Sequence, residues 1–89
     1  MRVCKRVLYS GRVQGVGFRY TTLGIARNYD VAGTVRNCSD GKVELVAQGT
    51  QDEVMAFLKA IEERMIGHVA EQDIQDTSPI DMTGFQIIG

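Results

Sequence analysis

Hydrophobic and polar positions along the chain change period several times, and each change marks a predicted element. Val3, Val7 and Tyr9 share one alternating face, so residues 3–10 read as a strand. Residues 11–17 then place three glycines in seven positions, which is loop chemistry. Phe18, Thr22, Ile25, Ala26 and Tyr29 recur at helical spacing and predict a first helix over 18–29, in which Gly24 costs roughly 1 kcal/mol against Ala. Residues 31–37 and 42–48 read as two strands, Val43, Leu45 and Ala47 alternating with Glu44, Val46 and Gln48, and the Asp40-Gly41 pair between them is a hairpin signal. The second helix is the clearest element. Thr50 and Glu53 form a capping box, with Thr50 capping the start and Glu53 reaching back. Val54, Phe57, Leu58, Ile61 and Met65 make one apolar stripe, and Gly67 reads as the C-terminal cap. Residues 68–75 form a weaker fourth strand, 76–83 a loop with the only proline, Pro79, and 85–88 a short last strand.

The order is β-α-β-β-α-β plus a short C-terminal strand. Two helices returning to one face of an antiparallel sheet give an α+β, ferredoxin-like sandwich, with the opposite face solvated or lined by polar residues. Length adds that 89 residues suit one domain over 1–89 with a limited core. Composition is ordinary for a globular chain, 44% hydrophobic and 24% charged. No apolar run approaches the ~20 residues that span a bilayer, and the charged start has no stretch resembling a secretory signal. The expected location is therefore cytoplasmic, with no membrane partner. Cys4 and Cys38 are too few for a disulfide framework, their spacing is not that of a zinc site, and His68 is the only histidine. Both are expected to be free thiols in a reducing cytosol.

Net charge is only -1, but its distribution matters. Residues 1–42 carry Arg2, Lys5, Arg6, Arg12, Arg19, Arg27, Arg36 and Lys42 against Asp30 and Asp40 alone, while residues 43–89 carry Lys59 and Arg64 against nine acidic side chains. The first half is the better home for an anion. Within it, Gly11-Arg12-Val13-Gln14-Gly15-Val16-Gly17-Phe18-Arg19-Tyr20 lies between a strand and a helix. A glycine-rich turn there can aim successive backbone N–H groups inward, and the helix N-terminus adds partial positive charge. Arg19 falls in the first helical turn, where a cation opposes the helix dipole, and its guanidinium fork matches two phosphate oxygens. From chemistry alone the stretch reads either as an anion cradle or as a loop turning a corner with Arg19 solvated. Two better-known phosphate motifs are excluded: Gly17 is followed by Phe18-Arg19 where a P-loop needs Lys-Ser/Thr, and a dinucleotide fingerprint would need glycine at Tyr20.

The same ten residues resemble the first signature of the acylphosphatase family. Gly33-Thr34-Val35-Arg36-Asn37, followed by Asp40-Gly41-Lys42-Val43-Glu44 and Ala47-Gln48-Gly49, resembles the second, in the right order and separation. The resemblance implies that the backbone of Gln14, Gly15, Val16, Gly17 and Phe18, together with Arg19, binds a phosphoryl group, and that Asn37 holds an attacking water. It implies catalytic roles for Arg19 and Asn37, hydrolysis of small acyl phosphates to a carboxylate and inorganic phosphate by in-line water attack, no metal or other cofactor, and no covalent phosphoenzyme. Inorganic phosphate is then product and inhibitor, and small size suggests a monomer; acetyl phosphate, carbamoyl phosphate and 1,3-bisphosphoglycerate all fit as substrates. The chain departs from the family pattern at Thr34, where an aromatic residue is common, over residues 65–80, and at Gly89, which lacks the charged terminus of some relatives.

Other groups have plainer readings: Arg36 a solvated strand residue, Lys42 a turn residue, His68 structural or exposed, Glu62 and Glu63 on a solvated face, Met55 and Met65 in helix packing, Cys38 an inert thiol. Two rival functions are weighed beside the hydrolase. An RNA-recognition module shares the element order, but the strand over 42–48 has no stacking aromatic and the net charge is negative, so no nucleic-acid partner is expected. A phosphoryl-binding module without turnover, of the kind found inside larger maturation proteins that handle carbamoyl phosphate, is the other.

Overall fold

The fold rests on a division of labour between two faces of one sheet. The computed structural model describes all residues 1–89. Its elements are β1 (Arg2–Gly11), α1 (Phe18–Ala26), β2 (Val31–Asn37), β3 (Val43–Thr50), α2 (Gln51–Arg64), β4 (Val69–Asp76) and β5 (Phe85–Ile87). The sheet order is β4-β1-β3-β2-β5, with the four longer strands antiparallel to one another where they pair. This is the expected ferredoxin-like arrangement with one correction: β5 pairs parallel to β2, so the sheet is mixed rather than antiparallel. The reason is the path of residues 77–84, which carries the chain from the β4 edge to the opposite edge, so that the last strand returns alongside β2. No helix is long and apolar enough to cross a membrane.

Val7, Tyr9, Val35, Val43, Leu45 and Ala47 line the helix-covered face and are fully buried. They pack with Phe18 and Ala26 of α1 and with Val54, Phe57, Leu58 and Ile61 of α2 in one cluster. The stripe expected on α2 is thus the one that docks it, at roughly 1.5–3 kcal/mol per fully buried large side chain. Met65 joins that cluster, whereas Met55, expected in packing, is exposed. Tyr9 is held well above the ordinary phenol range, first by burial and then by the charge of Glu62.

Three element ends differ from expectation. α1 stops at Ala26 because Asn28 N and Tyr29 N donate to Ile25 O and Ala26 O in tighter i to i−3 bonds, at 3.0 and 3.2 Å. Tyr29 still packs against the core, from the turn rather than from the helix. Half of the capping box forms: Glu53 N donates to Thr50 Oγ1 at 3.3 Å, but the Glu53 carboxylate accepts from Asp30 N at 2.7 Å instead of reaching back to Thr50. α2 ends at Arg64, with Met65 as its cap, and Gly67 lies two residues further on at φ +91°, turning the chain into β4.

The other face of the sheet is polar, as expected. The Arg36 side chain is exposed there as expected, but it is also paired: Glu44 accepts from Arg6 Nε at 2.7 Å and from Arg36 Nε at 2.9 Å. At one end of this face Gln48 exchanges two hydrogen bonds with Ile80, at 2.8 and 3.0 Å, and Thr77 N donates to Cys4 O. The crossing segment thereby covers Cys4, whose thiol is pushed up by burial against a smaller lowering from the Ile80 backbone.

Candidate active site

Two buried side chains hold the glycine-rich loop in place. Val13 before it and Phe18 after it are each 1% exposed, and the Phe18 ring meets Tyr9 of β1 at a centroid distance of 4.9 Å. Between these anchors Gln14-Gly15-Val16-Gly17 arches outward, with Gly15, Val16 and Gly17 exposed. Gly15 has φ +77° and Gly17 φ +79°, a left-handed conformation that other residues adopt only under strain. A Cβ at either would meet nothing within 4 Å, so conformation and not space demands glycine there. Gly11 is the opposite case: a Cβ would lie 2.6 Å from Ala70 N and 2.7 Å from His68 O, where β1 and β4 shift register.

The arch leaves donors free. No backbone N–H from Val13 to Tyr20 donates to another group of the chain. Gly17 caps α1 without a side-chain hydrogen bond, and no acidic residue occupies the first turn. A run of unpaired N–H groups opening a helix can bind an anion, in both geometry and sign. The site is an open cradle rather than a cavity. A cleft of 510 Å³ is lined by Met1, Cys4, Gln48 and Pro79 among others, at the end of the sheet away from the loop. Unpaired backbone donors can meet an anion without an enclosed volume, so the loop is a candidate cradle that needs no cleft.

Three independent links bring the predicted residues to the same end of the sheet. Asn37, the last residue of β2, pairs with Val43, which pairs with Tyr9, the residue stacked on Phe18 at the start of α1. The Gln14 side chain crosses from the loop to the β2–β3 turn, its Nε2 donating to Cys38 O and Lys42 O at 2.8 Å each. β5 runs parallel to β2 and delivers the chain end there: Ile88 N donates to Val35 O, and Arg19 Nη1 donates to Gly89 O. Arg19 and Asn37 are both half-buried, and the Asn37 amide has no partner within the chain. His68 lies at the junction of β4 with the loop, its backbone O accepting from Arg12 N, in keeping with a structural reading.

Sequence reasoning placed the backbone of Gln14 in the cradle but did not see its side chain crossing to the turn, nor Gly89 meeting Arg19. Neither contact has a local signal, since the partners lie 24, 28 and 70 residues apart.

A sequence model of the acylphosphatase family matches residues 5–87. An acylphosphatase of Bifidobacterium longum is 50% identical over 76 residues, covering 81% of this chain and 78% of its own. One of Bacillus licheniformis is 40% identical over 82 residues, covering 91% and 89%. The crystal structure of acylphosphatase from Bacillus subtilis superposes with a TM-score of 0.87 at 31% identity over the whole of both chains. With the match running from β1 into β5, the chain belongs to the acylphosphatase family.

Proposed function

We propose that the cradle of Gln14, Gly15, Val16, Gly17 and Phe18, with Arg19, holds the phosphoryl group of a small acyl phosphate, while Asn37 orients the water that attacks phosphorus in line. Hydrolysis of acyl phosphates is the function of the family; the residue roles and the metal-independent route are the proposal. The observation that carries it is the uninterrupted run of unpaired backbone donors from Val13 to Tyr20, at a helix N-terminus that has neither cap nor acidic side chain.

The chemistry follows from those donors. An acyl phosphate leaves as a carboxylate, a good leaving group, so the barrier yields to positioning and charge stabilisation without a strong base. Backbone N–H groups and the Arg19 fork complement charge on the equatorial oxygens, the role a metal ion fills elsewhere. Asn37 is a neutral amide: its Oδ1 can accept from water, but it cannot take the proton near neutrality. The water proton therefore passes to a phosphate oxygen of the substrate. A pH–rate profile without an essential enzyme group near neutrality is the expected outcome, and one with such a group would contradict the proton's route. The wider reading, a cytoplasmic monomer inhibited by its product phosphate, draws on the two unpaired cysteines and on the openness of the cradle to free phosphate.

The test is hydrolysis of benzoyl phosphate in EDTA by the wild type and by Asn37→Ala. Turnover that survives the chelator and collapses in the variant supports site and mechanism together. A folded wild type that binds phosphate without turnover would favour the phosphoryl-binding module.

A further inference from the structure

The structure assigns the Gln14 side chain a positioning role: its amide locks the turn that follows Asn37 onto the cradle loop, so that turnover depends on it more than phosphate binding does. The inference rests on the proposed role of Asn37 in orienting water. Gln14 Nε2 donates to Cys38 O and to Lys42 O, both at 2.8 Å. Both acceptors are main-chain carbonyls, so only the amino end of the amide can face them and chemistry fixes its orientation.

These are also the carbonyls that close the turn. Cys38 N donates to Lys42 O at 2.8 Å, and Gly41 N donates to Cys38 O at 3.3 Å. The Gln14 amide adds a second donor to each, at the point where the turn is fastened to itself. The first of these carbonyls belongs to the residue immediately after Asn37. The loop, in contrast, keeps its shape without this contact, through the buried anchors Val13 and Phe18 and the left-handed Gly15 and Gly17. Loss of the clamp therefore leaves the phosphate donors in place and frees the strand end that carries the water-orienting amide. A displacement of about 1 Å at such a group is enough to lower turnover on the order of a hundredfold.

The experiment compares benzoyl phosphate hydrolysis and inhibition by inorganic phosphate in the wild type, Gln14→Glu, Asn37→Ala and the double variant. A carboxylate at position 14 cannot donate to either carbonyl, whereas its protonated form has one O–H to offer. At neutral pH, Gln14→Glu and the uncharged Gln14→Met should each lower kcat by about tenfold or more, and Gln14→Met, which places no charge beside the cradle, should change phosphate inhibition by less than about threefold. Relative to the wild type, kcat should recover in part as the pH falls and the introduced carboxyl is protonated. In the Asn37→Ala background the same substitution should change kcat by less than about twofold, because the residue it acts through is gone. An equal fractional loss in both backgrounds, or in Gln14→Met a parallel loss of phosphate inhibition or an unchanged kcat, would overturn the positioning role while leaving that of Asn37 intact. Wild-type turnover by Asn37→Ala would overturn both. Gln14→Met removes the donor without adding charge, so it separates loss of the clamp from repulsion of the anion, and it is read by the same comparison of backgrounds.

Discussion

At the scale of single residues, the proposed roles divide the work: Arg19 holds the phosphoryl group and Asn37 places the water. Arg19→Ala should weaken inhibition by inorganic phosphate and lower kcat/KM by about 100-fold or more, because a charge-assisted fork to the transferred group is lost. Asn37→Ala should lose turnover to a similar degree while its phosphate inhibition constant stays at the wild-type value, since it removes only water placement. Loss of phosphate binding in Asn37→Ala with its rate per bound substrate intact would reverse the two assignments. Glycines separate in the same way by what surrounds them. Gly33 lies where a Cβ would come 1.8 Å from Val46 O, so Gly33→Ala should destabilise the fold by at least about 2 kcal/mol in urea denaturation. Gly24, mid-helix with open space around it, should tolerate Ala with a gain of about 0.5–1 kcal/mol. The sequence made Gly15 and Gly17 legible as a turn, and the two signatures named Arg19 and Asn37. It could not make the Gln14 amide legible, because its partners are carbonyls that every residue possesses.

Among the elements, α2 was the most legible and α1 the least complete. A stripe at helical spacing behind Thr50 specifies α2 almost without tertiary help, and Thr50→Ala should cost about 1 kcal/mol, seen as a fall of about 4–8 °C in Tm. The far half of the capping box was misread for a physical reason. Glu53 has a stronger claim on it from Asp30 N, a donor brought close only once the turn after α1 packs beside the start of α2. α1 was drawn three residues too long because Tyr29 continues the apolar period beyond the last helical bond. The period reports burial, and a residue in a turn can be buried as well as one in a helix. β5 has only three residues, and nothing in so short a pattern encodes whether it runs parallel or antiparallel to β2.

Over the whole molecule, one face of the sheet carries the core and the other an ionic network. Glu44 links Arg6 of β1 and Arg36 of β2, and its carboxyl is held below the ordinary value of 4.5, chiefly by the hydrogen bond from Arg36, with burial opposing and Arg6 assisting. A carboxyl depressed in the folded state contributes stability that is fully present above its unfolded pKa and is lost as pH falls through the folded value. Wild-type stability should therefore decline on acidification below about 4.5, and Glu44→Gln should remove part of that decline in unfolding midpoints measured from pH 6 to 3. The basic bias of residues 1–42 is spent partly on this network and partly around the loop, where Arg19 meets the chain end. Everything that defines the site converges at one end of the sheet: the free donors of the loop, the end of β2, and the tail after β5. That convergence is tested most directly by titrating inorganic phosphate into ¹⁵N-labelled protein and following its amide resonances. The account predicts saturable shifts centred on Gln14 to Arg19, with the same affinity in Asn37→Ala and a weaker one in Arg19→Ala. Shifts centred on the cleft lined by Met1, Cys4, Gln48 and Pro79, or none at saturating phosphate, would contradict it.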